Sequence, residues 1–473
     1  TRLQGDWSSD VCSSDLLELA AREHLRGRNY GRARTLLEQL QQISRLPLEL
    51  EEAFADACFW SRDLQQALER YQKVYARVAH PRLLRKSARC RWRMGDLRGA
   101  HSELTQACAL TLPSRSWLTR FKTLASFLGI FTGRGLGGAP RSEEQQRVEV
   151  ALARCLHLYR PSGWQMDSLH LMLLQLKGPR AGLDISRQAH QEIARGGCLV
   201  LGPRQFFARA RRHLERGVDL ALGIPSSGVR CGLLLDACAS LLVLGHPQLE
   251  QLAQATLQQA EFLGDSAAAV QSHLLLGLFY RLSGRLLASD EAYKQALAIG
   301  AEINNAYECQ RASSQRLIVS ALMGRPEGDF CTKTPASELG GTYLRLQGQL
   351  ARAYLAWRQG QPELAVELAQ ANPRDYQGDL LQEAERRLLQ ASCQPACEIA
   401  WARLQSAAHS IFPAFECAAL RLRAGQLAPE ASRAVLRQGL GLARRWNFPL
   451  EEGLIQAELA LLDQDAFRHQ LAR

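Results

Sequence analysis

The sequence is poor in lysine, in aromatic residues and in long apolar runs. Only six of its 473 residues are lysine, so arginine supplies nearly all of the positive charge behind a net charge of +11 at pH 7, and aromatic residues make up 7%. No stretch approaches the roughly 18 consecutive apolar residues that a transmembrane helix needs, so no membrane association is predicted. Arginine-for-lysine bias can arise from coding composition alone, and the net charge by itself therefore argues only weakly for nucleic-acid binding.

The 13 cysteines do not form a disulfide framework. They are scattered singly through apolar helical patterns, where a free cysteine behaves as a small hydrophobic residue, and this usage is typical of the reducing cytoplasm. The closest pair, Cys393 and Cys397, has no second Cys or His pair at the spacing of a zinc site. We therefore predict no metal site.

Sequence motifs of catalysis and cofactor binding are missing. There is no P-loop, no H-E-x-x-H and no G-x-S-x-G. Residues 133–138, with the sequence GRGLGG, formally match G-x-G-x-x-G. A dinucleotide site needs a strand before this motif, whereas the pattern before it is helical, so a hinge is favoured over a cofactor site. No cofactor and no catalytic residue are predicted, and the chain is not expected to be an enzyme.

The first residues are treated separately from the rest of the chain. Residues 6–16 resemble the in-frame translation of a short-read sequencing adapter. We expect residues 1–16 to be non-native and disordered. The natural sequence would then start near Leu17, with its true N-terminus missing, which would make the chain a fragment.

From Leu17 onward the chain repeats a pattern of a small residue, a large residue four positions later and a small residue three positions after that. Positions with this spacing lie on one face of a helix, where the small residues let a partner helix approach and the large residue fills the gap between helix pairs. The triads are Ala67/Tyr71/Val74, Ala100/Leu104/Ala107, Ala210/Leu214/Gly217, Ala253/Leu257/Ala260 and Ser289/Tyr293/Ala296, with Ala33/Leu37/Leu40 as a weaker first copy.

The spacing of the triads identifies the repeat. Ala33 and Ala67 are 34 residues apart, and Ala67 and Ala100 are 33 apart. A turn with Gly precedes several of the triads by about five residues, and glycine supplies the left-handed backbone that ends a helix. A helix-turn-helix period of about 34 residues is the signature of tetratricopeptide repeats. The sequence therefore predicts an all-α fold, a TPR-like α-solenoid of antiparallel helix pairs.

The predicted organisation has two helical arrays. TPR-like pairs occupy residues 17–131, a Gly/Arg/Pro hinge occupies residues 132–141, and a second TPR-like array with longer units occupies residues 142–473.

Several motifs resemble the C-terminal tetratricopeptide-like region of large bacterial signalling ATPases. They lie at residues 82–86, 95–97, 210–215, 263–265 and 284–296. In that family a serine/threonine kinase or nucleotide cyclase domain and an AAA-type ATPase precede a long helical tail. The resemblance covers most of residues 17–463. The family's catalytic residues lie in the domains that this chain does not contain, so the resemblance implies none here.

One charged helix face is a candidate interaction patch. Its basic residues fall at helical spacing, without an acidic residue before Asp96. The patch could dock an acidic domain, an ATPase module or nucleic acid, or it could be an ordinary solvated face. Its members are Arg82, Arg85, Lys86, Arg89 and Arg93.

Three functions are compatible with these observations. The first, which we favour, is a non-enzymatic scaffold for protein–protein interaction or regulatory sensing, the C-terminal part of a cytoplasmic signalling ATPase or kinase. Its partner would be the protein's own catalytic module or another signalling protein. The second is the inducer-binding sensor region of a helical-repeat transcription activator. The third is RNA binding by helical repeats, which needs polar readers at the same place in each unit, and none is apparent.

Overall fold

The computed structural model describes most of the chain. The described residues are 9–26, 29–111, 143–159, 184–200, 204–325, 342–370, 380–394, 397, 413–445 and 448–471. Within these ranges all regular secondary structure is helical, and no strand occurs. The fold is all-α.

The chain divides into two compact units, and the first comprises Thr1–Arg115, Arg141–Cys155 and Asn304–Tyr307. Its helices are α1 (Ser9–Arg26), α2 (Tyr30–Ile43), α3 (Leu48–Trp60), α4 (Leu64–Arg77), α5 (Pro81–Arg93), α6 (Leu97–Thr111) and most of α7 (Glu143–Tyr159).

The second unit comprises Ser116–Pro140, Leu156–Ile303 and Glu308–Arg473. Its first helices are α8 (Ile185–Val200), α9 (Phe207–Leu222), α10 (Gly228–Val243), α11 (Leu249–Phe262), α12 (Ser266–Leu282), α13 (Leu286–Glu302) and most of α14 (Ala306–Leu322). There follow α15 (Thr342–Arg358), α16 (Pro362–Ala369), α17 (Leu380–Cys393), α18 (Pro413–Ala424), α19 (Pro429–Arg445) and α20 (Pro449–Leu471).

Neighbouring helices pack in pairs that stack on one another. In the first unit α1 packs on α2, α3 on α4 and α5 on α6, and each pair also contacts the next. In the second unit α8 packs on α9, α10 on α11 and α12 on α13, and the first helices of successive pairs contact each other. A pair too small to bury its own apolar face is stabilised by its neighbours. Each unit is thus built as a TPR-like α-solenoid.

The triad positions lie in the packed interior of these stacks. The small residues Ala67, Ala100, Ala107, Ala210, Ala253, Ala260, Ser289 and Ala296 are all buried. The large residues Tyr71, Leu104 and Tyr293 are among the largest fully buried side chains, and Leu214 is buried as well. Leu257 is only partly buried and packs against two hydrophobic clusters, while its neighbour Thr256 is fully buried.

The turns within pairs use the residues that the sequence indicates. Gly95, Gly284 and Gly360 have φ of 86°, 79° and 74°. Side chains such as that of Asp265, which accepts from the backbone N–H of Ala268, cap the helices that follow. The short apolar run at residues 198–200 is the last turn of helix α8.

Two boundaries differ from the expected organisation. Residues 9–16, expected to be disordered, lie in the first turns of α1 (Ser9–Arg26). Residues 143–155, expected in the second array, belong to the first unit, where Val148 and Leu152 are buried. The expected hinge at residues 132–141 lies outside the described residues, and this division of the chain remains a prediction.

Among the helices described, none combines the length and the hydropathy needed to cross a bilayer.

Candidate functional site

The basic face of helix α5 is directed at carboxylates of helix α3. Arg82 Nη2 lies 2.6 Å from Glu52 Oε2, and Lys86 Nζ lies 2.7 Å from Glu52 Oε1. Lys86 also donates to Asp56 at 2.7 Å, and the hydroxyl of Tyr71, a triad residue, donates to the same Asp56. These contacts join α3, α4 and α5 through one charged network.

The other cations of α5 also have partners within the first unit. Arg85 donates two hydrogen bonds to the carboxylate of Glu144 in α7, of 2.6 Å and 3.1 Å. The guanidinium carbons of Arg93 and Arg89 lie 4.2 Å and 4.9 Å from the ring centroid of Phe59. Cations over an aromatic face are attracted by the ring quadrupole.

The structure therefore places the candidate patch in internal contacts rather than on a free cationic face. The pKa of Glu52 shows the strength of this coupling. Burial acts to raise it, but Lys86 and Arg82 outweigh burial and hold it below its ordinary value of 4.5. These carboxylate partners could not be found in the sequence because they lie 30 to 59 residues away from the cations along the chain.

A second constellation, absent from the sequence analysis apart from Tyr293, lies in the second unit. We call it the buried polar cluster. One side chain comes from each of helices α12, α13, α14, α15 and α17: Arg281, Tyr293, Gln315, Tyr354 and Glu385.

The buried polar cluster contains an ion pair shielded from water. The side chains of Arg281 and Glu385 are 5% and 2% exposed, and Arg281 Nη2 donates to Glu385 Oε1. Burial opposes the charge of Arg281, yet the Glu385 carboxylate outweighs burial and keeps the pKa of Arg281 above its ordinary value. The two residues are 104 positions apart in the sequence. The pair therefore joins α12 to α17 across the second unit.

Two tyrosines complete the buried polar cluster. The hydroxyl of Tyr293 donates to Gln315 Oε1 at 3.4 Å. Burial raises the pKa of Tyr293 to about 12 although Arg281 acts to lower it. Burial also raises the pKa of Tyr354, which interacts electrostatically with both members of the ion pair. At neutral pH both phenols are therefore protonated and uncharged.

The ring of Tyr293 rests on the backbone of helix α12. A Cβ atom built on Gly277 would lie 2.7 Å to 2.9 Å from three carbons of that ring. The Ser289 hydroxyl donates to the Gly277 carbonyl oxygen at 2.7 Å. Because Gly277 and Arg281 are four residues apart on α12, they share one helix face.

Other contacts bring the C-terminal helices α17 to α20 against helices α10 and α12. Val243, the last residue of α10, packs against the cluster that contains Ala384 and Phe415. At the turn after α12, a Cβ atom built on Gly284 would lie 2.8 Å from Leu450 Cδ1. The second unit thus places its last helices on the first helices of earlier pairs.

The cysteines in the described part of the chain provide no ligand set for a metal. Eleven described cysteines are free, Cys393 and Cys397 among them. The described residues contain no group of three or more His, Cys, Asp or Glu side chains arranged to hold a metal ion.

Three solved structures align with most of this chain. The structure of yeast Tom70 aligns over 96% of both chains at 12% identity, with a TM-score of 0.33. A Rap protein complexed with competence and sporulation factor covers 96% of this chain and 98% of its own, at 9% identity and a TM-score of 0.30. The APC/C hetero-tetramer Cut9–Hcn1 covers 94% and 96%, at 14% identity and a TM-score of 0.26. All three TM-scores are low, so no partner or activity is inferred from these likenesses.

No protein-family model and no curated protein sequence matches this chain.

Proposed function

We propose that this chain is a non-enzymatic helical-repeat scaffold that binds protein segments and conveys that binding to the catalytic module of a signalling ATPase or kinase. The observation that carries the proposal is the buried pair of Arg281 and Glu385, which joins helices 104 residues apart. Through such a link, a partner that favours one arrangement of the stacked helices shifts the arrangement of the others.

The setting that we propose is the cytoplasm. Its support is the free state of the described thiols, eight of which are buried in helical interiors. Free buried thiols persist where glutathione and thioredoxin keep cysteine reduced. The link to a signalling ATPase or kinase has its support in the motif resemblance alone.

The experiment uses the purified chain and, as a separate protein, the catalytic module of the signalling ATPase or kinase to which the proposal links it. The chain alone should show no ATPase, kinase or cyclase turnover. Titrated into the module, it should bind saturably and change the rate of ATP hydrolysis by about fivefold or more, the usual lower range of allosteric coupling. Turnover that follows the chain through purification, or an unchanged rate at saturation, contradicts the proposal.

A second candidate is inducer sensing, and one buried atom favours it. Gln347 of helix α15 is 1% exposed, and its side-chain oxygen has no hydrogen-bond partner in the described part of the chain. A buried acceptor without a donor is costly, and a small polar ligand could supply the donor. A screen for ligand-dependent thermal stabilisation, with Gln347→Leu as the variant that loses the response, tests this candidate.

A further inference from the structure

We propose that Arg281 is the centre of a carboxylate-binding site, that Glu385 of helix α17 occupies it from within the chain, and that an amphipathic helix of a partner protein, with a carboxylate at the position of Glu385, takes the place of α17. This inference rests on the proposed scaffold function and names the chemistry of its partner.

The ion pair is a costly way to hold two helices together. Both charges lose their hydration on burial, and well-packed apolar residues of similar volume often stabilise a protein as well or better. What a buried pair gives instead is selectivity, because a carboxylate at that point compensates the buried guanidinium charge and a neutral acceptor does not. The buried polar cluster is therefore suited to recognition more than to stability.

The guanidinium of Arg281 is incompletely used by Glu385. Nη2 donates to Glu385 Oε1, but Nε is buried without a hydrogen-bond partner. A guanidinium presents five N–H donors, and a carboxylate that engages Nε and Nη2 together forms the stronger, two-pronged pair. A carboxylate better placed than that of Glu385 would gain the unused hydrogen bond.

The residues around Glu385 indicate which partner fits. Ala384 is buried beside it, and Leu388, one turn later, packs against the same apolar cluster together with Val243 of α10. The occupied surface thus accepts a helix with a carboxylate next to a small apolar residue and a larger apolar residue three positions on. A small carboxylate molecule could fill the charge site but not the contact at Val243, so we assign the site to a helix.

The test uses a labelled synthetic peptide with the sequence of residues 380–393, added to the full chain and followed by fluorescence anisotropy. In the wild-type chain α17 already occupies the site. The apparent affinity for the peptide is therefore the intrinsic affinity multiplied by the fraction of molecules from which α17 has moved away. The Glu385→Gln chain keeps the side-chain volume but lacks the competing charge. It should bind the peptide about tenfold or more tightly than the wild-type chain does.

Two matched variants locate the binding. A peptide carrying Glu385→Gln, and a chain carrying both Glu385→Gln and Arg281→Gln, should each lose that gain. Equal binding to all chains, or no binding to a Glu385→Gln chain whose circular dichroism shows native helix content, overturns the proposal. Displacement of the peptide by free glutamate at similar concentration also overturns it, because the site then takes small carboxylates.

Hydrogen exchange on the wild-type chain covers the case in which the variants do not fold. The peptide is made with Cys393→Ser so that its mass differs from that of the same segment of the chain. In excess it should release α17 and so speed amide exchange in residues 380–393 of the chain. Unchanged exchange at saturating peptide overturns the proposal. Failure here with successful regulation of the catalytic module refutes the carboxylate site while leaving the scaffold function intact.

Discussion

At the scale of single residues, the large members of two triads, Tyr293 and Leu214, pack on a glycine of the preceding helix. Tyr293 lies on Gly277 in the way that Leu214 lies on Gly196, where a Cβ atom would come within 2.5 Å of the leucine side chain. Glycine removes the one atom that would hold the two helices apart, so its mid-helix entropy cost is offset by close packing.

Substitution of Gly277 by alanine should therefore destabilise the second unit. The new methyl group would collide with the Tyr293 ring and force repacking, at a cost of about 1–3 kcal/mol. Urea unfolding followed by circular dichroism gives the shift in midpoint. Gly232→Ala is the matched control, since nothing lies within 4 Å of its Cβ position in the interior of α10. That change should raise stability by up to about 1 kcal/mol through helix propensity. Equal effects of the two substitutions would show that the contact with Tyr293 is unimportant.

At the scale of helices, each pair depends on a turn that reverses the chain and on contacts that fix one helix against the next. The turn between α15 and α16 passes through Gly360 at φ of 74°, with nothing within 4 Å of its Cβ position. Only the backbone conformation, and no neighbouring atom, therefore demands glycine there.

Gly360→Ala should destabilise the chain by about 1–2 kcal/mol through left-handed strain alone. The neighbouring structure should stay unchanged, so the circular dichroism of the folded variant should match that of the wild-type chain. Gly453→Ala, in α20, also meets no atom within 4 Å but has an ordinary helical backbone. It should stabilise instead, and thermal melts of the two variants should move in opposite directions. A neutral Gly360→Ala melt would contradict the strain argument.

The contact between α3 and α5 should make the first unit sensitive to acid. The pKa of Glu52 is lower in the folded chain than its ordinary value of 4.5, so the folded state binds the proton more weakly than the unfolded state does. The stabilisation is complete above pH 4.5 and is lost as the pH falls through the lower, folded value.

Glu52→Gln should accordingly flatten the fall in melting temperature below pH 4.5. At neutral pH the variant should melt lower than the wild-type chain, because Lys86 and Arg82 lose a charged partner. Melting curves from pH 7 downward measure both effects. Glu49→Gln, an exposed acidic residue on the same helix, is the control and should leave the acid dependence unchanged. Parallel pH profiles for Glu52→Gln and the wild-type chain would refute the role of Glu52.

At the scale of the whole molecule, buried thiols report on the two units separately. Cys58, Cys90, Cys108 and Cys155 are buried in the first unit, and Cys198, Cys231, Cys238 and Cys417 in the second. Burial raises the pKa of Cys58 to about 11 and of Cys238 to about 12, so neither thiol is a reactive thiolate near neutral pH.

Alkylation of the native chain should therefore reach Cys397 and the other partly exposed thiols first. Labelling of the eight buried thiols should be slower by about 100-fold, since a local opening that costs about 3 kcal/mol must come before reaction. Mass spectrometry of digests measures each site, and labelling in denaturant shows the full reactivity. Fast labelling of the four thiols of either unit in the native state would show that this unit is not packed as described.

The sequence by itself determined the repeating elements of this protein. These elements follow from local patterns: the small-large-small triads, the spacing of 33–34 residues and the glycine turns. Helix periodicity and local hydrogen bonding depend on residues close in sequence, so such patterns predict them directly. All-α helix pairs with buried Tyr71, Leu104 and Tyr293 follow from these patterns.

Only the tertiary structure decided which charges meet. The cations of α5 appeared free in the sequence because Glu52 and Glu144 lie far from them along the chain. Arg281 and Glu385 likewise belong to unremarkable helical stretches, and no periodicity links positions 104 residues apart. The distance between two such side chains depends on how several helix pairs stack between them. A small rotation at each pair adds up along the stack and changes which side chains meet. The triads could therefore be found by reading along the chain, whereas the buried polar cluster needed the folded chain.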